Sequence, residues 1–429
     1  MMSLVATPSS VILIKNIGEL VTLAPLADEH RAHDVSAKDL GRIYKSWLLI
    51  KDGKVAETGS MSSLQEDSLK CSSVFDAAGG LLLPGLIDSH THPLFAGSRH
   101  GEFVQRLEGR SYQEIAASGG GIQSTVRNTR AASSSQLEVL LESRARKALL
   151  QGVTTLEIKS GYALSVEEEL RHLRIMKNVQ QKDLHSSARR LPELMITCLA
   201  LHAVPTEHSK SDFIKACTEQ LLPRVHEEKL AQYVDAFVEE GYFSVTDIED
   251  YVEKAKELGI GVRLHADEFS DAGGAAAAAT WGAACADHLQ FASAEGMRAM
   301  GKKRVAATML PGTSLYTGIP YTDARPFLEA GCPLVIATDF NPGSCLLDNL
   351  HFLCTMGALH NHLSLAQSFV AVTYAAACSL GLGKRKGALV KGFDADLALF
   401  PLSSLEEWLA DAGRTAATRV WFAGEAVRV

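Results

Sequence analysis

The chain has 429 residues, 46% of them hydrophobic and 21% charged, with a formal net charge of −8. That length holds one large domain with a smaller companion, or one oversized barrel, and the composition is that of an ordinary globular protein. The negative balance offers no basic footprint for nucleic acid or anionic lipid, so neither is expected as a partner.

Residues 1–19 contain the short run Val11-Ile12-Leu13-Ile14 with no basic region before it and no small-residue cleavage site after it. They read as neither a signal peptide nor a membrane span. The eight cysteines are scattered, without a Cys-x-x-Cys pair, and are expected to be reduced packing residues of a cytoplasmic protein.

Short β-like pieces fill the first 80 residues: 10–15, then 46–51 with the Asp52-Gly53 turn, then 54–58. From Leu81 onward, apolar runs of strand length alternate with helix-length stretches. Eight such runs stand at 82–88, 152–158, 194–201, 233–238, 261–264, 282–286, 304–309 and 333–338. Helical periodicity covers 136–150, 165–179, 246–258, 272–281 and 322–330, the last followed by Gly331 at a C-cap position. Eight strand-helix units predict an α/β fold, a parallel (β/α)8 TIM-type barrel, whose strands are apolar throughout because both faces are buried.

Two more helices fit 346–360 and 364–380, the second opening with Ser364 and Gln367 at capping-box spacing. From Gly387 the chain returns to β pieces around Gly392-Phe393-Asp394-Ala395-Asp396. The two chain ends are therefore expected to pair as a small β-sandwich. This gives boundaries of 1–80 for its first part, 81–383 for the barrel and 384–429 for its second part. The alanine cluster 275–279 predicts a helix packed closely on a neighbour.

In such a barrel the active site lies where the strands end. Here the ends are unusually polar: His90 and His92 after strand one, His202 after three, His265 after five, Asp287-His288 after six, Asp339 after eight. His90 and His92, at i and i+2, leave the same face of an extended chain, and Asp88 shares their parity and is placed to brace a ring. His360-Asn361-His362 repeats the spacing at a helix end, where i and i+2 diverge, so those two are expected on the surface.

Three imidazoles and one carboxylate, His90, His92, His265 and Asp339, form a ligand set for one divalent ion that leaves room for water. Such an ion lowers the pKa of bound water to about 7. Glu268, three residues past His265, is placed to carry a proton between that water and a leaving nitrogen. His288 and His202 are candidates for polarising a carbonyl or holding an oxyanion. Arg99 suits a substrate carboxylate. Gly119-Gly120-Gly121 lacks a following Lys-Ser/Thr and reads as a mobile loop over the mouth, not a phosphate cradle.

The stretch from Leu83 through Asp88-Ser89-His90-Thr91-His92, the late Gly392 to Asp396, and the strand-end His and Asp resemble the amidohydrolase superfamily over essentially the whole chain. Four stretches point to one of its branches: Asp88 through Pro93 with Ala96 to Arg99, Glu157 to Tyr162, His265 to Phe269, and Thr338 to Gly343. The resemblance implies hydrolysis of the ring amide of 4-imidazolone-5-propanoate to N-formimino-L-glutamate, in histidine degradation, with one zinc or iron per subunit of a homodimer. It implies His90, His92, His265 and Asp339 as ligands and Arg99, Tyr112, Tyr162, His202, Glu268, Asn341, Gly343 and Ser344 around the substrate, while Glu268, His288 and Asp339 are the catalytic candidates. Ala163 and Leu201 depart from the family's usual glycine and threonine. Binuclear relatives use a lysine ending strand four; here Val238-Glu239-Glu240 stands there and Lys159 lies on strand two, so a single ion is expected. Two rivals stay open: a purine, pyrimidine or hydantoin hydrolase or deaminase, and a non-catalytic barrel scaffold.

Overall fold

The computed structural model describes residues 10–110, 114, 119–184 and 190–427. The eight expected runs form eight parallel strands paired in chain order. They are Leu86–Asp88, Val153–Lys159, Glu193–Leu201, Tyr233–Val238, Gly261–Ala266, Cys285–His288, Ala306–Met309 and Leu334–Ile336. Strand two is buried at every position, which explains the absence of alternation in its sequence.

The ring closes just past the ends of strands one and eight. Asp339 N–H donates to His90 O at 3.0 Å and His92 N–H to Phe340 O at 2.9 Å. Asp88 completes the seam, its carboxylate accepting from the backbone N–H of Thr338 at 3.1 Å and its hydroxyl at 2.7 Å. Asp88 is thus bound to strand eight, not to an imidazole, which corrects the bracing role expected of it. The parity argument placed it on the correct face, but the neighbour on that face is Thr338.

The run 82–88 divides at Gly85. Leu81–Pro84 pairs with Val11–Val21 on one side and Leu397–Phe400 on the other, whereas Leu86–Asp88 joins the barrel. A Cβ at Gly85 would stand 2.2 Å from Thr154 Oγ1, so only glycine lets the chain pass so close to strand two. Leu81–Pro84 therefore belong to the sheet of the chain ends and Leu86–Asp88 to the barrel.

Both chain ends share one eight-stranded sheet. It folds over so that Leu48 and Ile50 from its N-terminal arm and Leu397 and Leu399 from its C-terminal arm enclose a common apolar cluster, the sandwich core. Asp394 and Asp396 pair with Lys386, and Asp394 with Arg385, which also holds Glu193 at the start of strand three. The Gly392 to Asp396 stretch therefore ties the small sheet to the floor of the barrel.

Helices follow the sequence closely, with Ser133, Ser244 and Ser364 each closing a capping box. The expected helix 364–380 is two, Leu365–Ala371 and Tyr374–Ser379. It breaks because Val372 O accepts from Ile87 N–H of strand one, while the Thr373 hydroxyl turns back onto Phe369 O at 2.7 Å. Gly274–Trp281 packs tightly, as its alanines implied: a Cβ on Gly296 would lie 2.8 Å from that of Ala275. His360 and His362 are exposed, as expected. No disulfide joins any of the eight cysteines, six of which are buried. Among the described residues no helix is long and apolar enough to cross a membrane.

Candidate metal centre and substrate cavity

At the strand ends, His90, His92 and His265 turn their Nε2 atoms toward one another. His92 Nε2 lies 3.2 Å from that of His90 and 3.4 Å from that of His265. Asp339 Oδ1 stands 3.3 Å from His92 Nε2 and 3.5 Å from His90 Nε2, and its other oxygen accepts from the Thr313 hydroxyl. All four side chains are buried. Carboxylates stand behind two of the rings: His90 Nδ1 is hydrogen-bonded to Asp287 Oδ2 at 2.7 Å, and Asp235 Oδ2 lies 3.0 Å from His265 Nδ1. A ring that gives its Nδ1 proton to a carboxylate has its lone pair on Nε2. Lone pairs converging in a buried space repel unless a cation lies between them, so this donor set fits a divalent transition metal.

The local electrostatics agree. Burial lowers the pKa of His92 to about 4, against the attraction of Asp339, so the ring is neutral as a ligand must be. Burial also opposes the charge on Asp339, yet His90 and His92 outweigh it and hold that carboxyl well below its usual range. The exception is His90, where Asp287 and Asp339 outweigh burial and Lys159 and raise the pKa to about 9, so a bound cation would displace a proton from this ring.

The backbone is strained where these groups emerge. Asp267, His288, Leu289 and Asp339 all have positive φ, 52°, 79°, 65° and 50°, without being glycine. Each such residue costs on the order of 1–3 kcal/mol, and their clustering at the mouth fits a site that stores strain to aim its side chains.

The centre opens into a cavity of about 830 Å³. Glu268 lines it; burial, then the charges of Asp339 and Glu239, raise its carboxyl well above the usual range. His288 Nδ1 lies 3.6 Å from Glu268 Oε1, and burial keeps His288 neutral. His202 stacks on His92 at 5.4 Å between ring centroids and points Nδ1 at Gly161 O, 3.1 Å away. A carbonyl can only accept, so His202 carries its proton on Nδ1 and offers Nε2 as an acceptor. That arrangement suits an N–H of a substrate.

Arg99 also lines the cavity, with Nε on Glu102 at 2.8 Å. Gly343 makes room for it: a Cβ there would fall 2.1 Å from Arg99 Nη1. Asn341 builds the loop beneath, its Oδ1 accepting from the N–H groups of Gly343 and Ser344 at 2.8 and 2.7 Å. Tyr162, buried, lines the cavity 5.3 Å from His202 between ring centroids. Glu169 accepts from the N–H groups of Ala163 and Leu164, so the loop after Tyr162 is held by its backbone and tolerates alanine where glycine is usual. Ile122, just past the glycine run, also lines the cavity, and Gly121 N–H donates to Glu102 Oε1 at 3.1 Å. Tyr112 lies outside the described residues.

Two groups escaped the sequence reading. Asp235 sits inside strand four, and Arg106 joins the cavity wall from the helix His100–Leu107. A carboxylate in the middle of an apolar strand was the available signal for the first, since a buried charge requires a partner. Nothing in the sequence marked Arg106.

The amidohydrolase family model matches residues 81–427, so the chain belongs to the amidohydrolase family. Its branch is that of the imidazolonepropionases. It is 39% identical over 406 residues to the imidazolonepropionase of Symbiobacterium thermophilum, covering 92% of both chains. It is 40% identical over 377 residues to that of Anaeromyxobacter dehalogenans, covering 87% of this chain and 88% of the relative. The fold also matches the crystal structure of N-isopropylammelide isopropylaminohydrolase from Burkholderia multivorans. The TM-score there is 0.69 at 17% identity, over 97% of this chain and 98% of the other.

Proposed function

We propose that the chain hydrolyses the ring amide of 4-imidazolone-5-propanoate to N-formimino-L-glutamate. The observation that carries this is the convergence of His90, His92, His265 and Asp339 at the base of a cavity that also holds Glu268 and Arg99. The curated relatives bear the name of that activity.

His90, His92, His265 and Asp339 would hold one divalent ion, zinc or iron, whose chemistry when bound is to acidify water and polarise a carbonyl. Arg99 offers its Nη groups to the propanoate carboxylate, because Glu102 already occupies Nε. Tyr162 and the loop of Asn341, Gly343 and Ser344 shape the wall around the ring. His202 Nε2 accepts from a ring N–H. Water adds to the amide carbon and its proton passes to Glu268, whose raised proton affinity suits it as an acceptor. The carbon-nitrogen bond breaks, the nitrogen takes the proton back from Glu268, and the acyl group becomes a carboxylate as water's second proton is released to solvent. His288, neutral and beside Glu268, is placed to guide that carboxyl between its two roles. Family resemblance supports a homodimer, and unpaired, mostly buried thiols suit a cytoplasmic setting.

The test is to offer the purified protein 4-imidazolone-5-propanoate, follow loss of the ring chromophore and identify the product. Formation of N-formimino-L-glutamate is expected. Turnover of a purine, pyrimidine or hydantoin in its place would refute the reading.

A further inference from the structure

Behind the three imidazoles lies a second layer of charge, with no contact to the cavity. Glu157, Asp235 and Asp287, from strands two, four and six, are fully buried. Their carboxylates surround the ammonium of Lys159. Lys159 Nζ is 2.8 Å from Glu157 Oε1, 2.8 Å from Asp235 Oδ2 and 3.8 Å from Asp287 Oδ2. Two of these carboxylates are the ones that stand behind His90 and His265.

The layer has the donors of a metal site. One ligand atom each from Asp235, His265 and Asp287 lies within 4.8 Å of the others, and Asp287 Oδ1 is buried without a hydrogen-bond partner. Carboxylate oxygens at that density, out of water, demand a cation. The guanidinium of Arg263 reaches the same carboxylates only at 3.8 and 3.9 Å, because it is anchored to the carbonyl oxygens of Ser89 and Ser379. Lys159 alone is seated among them.

We infer that the ammonium of Lys159 occupies the place of a second cation and thereby limits the centre to one ion. The inference rests on reading His90, His92, His265 and Asp339 as ligands. It gives a single-ion centre a positive cause: the carboxylates behind the imidazoles already hold a charge that the chain itself supplies. Lys159 is a positioning residue in this account, since it steadies Asp287 and Asp235 and through them His90 and His265.

The prediction is that Lys159→Ala opens a divalent-cation site made of Glu157, Asp235 and Asp287. Wild type, Lys159→Ala and the double variant Lys159→Ala/Glu157→Gln would each be stripped with chelator, loaded with excess zinc chloride, desalted and measured for zinc per chain. One ion is expected for the wild type, two for Lys159→Ala, and one for the double variant, which lacks a carboxylate of the new site. One ion or none in Lys159→Ala, or two in the wild type or the double variant, overturns the inference. No ion in the wild type refutes the ligand assignment instead. Should Lys159→Ala fail to fold without metal, refolding followed by circular dichroism against added zinc decides the matter. Recovery that needs the second equivalent supports the inference, whereas recovery at one equivalent or at none overturns it.

Discussion

The Oδ2 atom of Asp287 lies 2.7 Å from Nδ1 of His90, with both side chains fully buried. Once a cation displaces the proton that this ring otherwise carries, the pairing fixes the direction of its Nε2 lone pair. Asp287→Ala is therefore expected to weaken metal binding by roughly 10- to 100-fold, the usual effect of losing such a partner. Asp287→Asn, whose carbonyl oxygen still accepts the ring N–H, should lose less. Competition against a chelator of known affinity measures both.

Arg99 and Gly343 are closely fitted: a Cβ at 343 would fall 2.1 Å from Arg99 Nη1 and displace the guanidinium. A hydrogen bond to a charged group contributes about 1.5–3 kcal/mol, so Arg99→Gln should raise KM by roughly 10- to 100-fold. The variant should keep its metal and most of its kcat, which steady-state kinetics with metal analysis will show. An unchanged KM would place the propanoate elsewhere.

Glu268 has its carboxyl raised by burial and by two neighbouring acids, and it is the group proposed to move the proton. Glu268→Gln keeps the size and removes the transfer. The expected loss is about 10²- to 10⁴-fold in kcat, with metal content unchanged.

Glu169 supplies a pH test away from the centre. Burial raises its pKa from 4.5 to about 7, against the hydrogen bonds that it accepts from Ser160 and the backbone of the Tyr162 loop. Between those two values the folded protein holds a proton that the unfolded chain has released, so stability falls as pH rises through this window and levels off above about 7. The difference is on the order of 3 kcal/mol. Glu169→Gln can still accept the same N–H groups without titrating. Relative to wild type, it should gain stability by about that amount between pH 5 and pH 8 in denaturant titrations.

Strand ends were the most legible part of the sequence, because burial on both faces makes each strand apolar and the change to His or Asp marks where it stops. His90, His92, His265 and Asp339 all lie at such changes and meet in the structure. What lies one layer deeper was not legible. Whether Asp235 and Asp287 reach His265 and His90 depends on the register of strands four, five and six, which no local pattern encodes. Parity correctly turned Asp88 inward, but its partner Thr338 is 250 positions away in the chain. The break at Val372 has the same origin, a carbonyl drawn out of a helix by strand one. The proton position of His202 is set in the same non-local way, by one backbone oxygen, that of Gly161.

The most direct measurement pairs metal content with turnover of 4-imidazolone-5-propanoate in the same sample. Stripping the ion should abolish ring opening, and one equivalent of zinc or iron should restore it. His265→Ala should be inactive under both conditions. Equal rates with and without the ion would contradict the account.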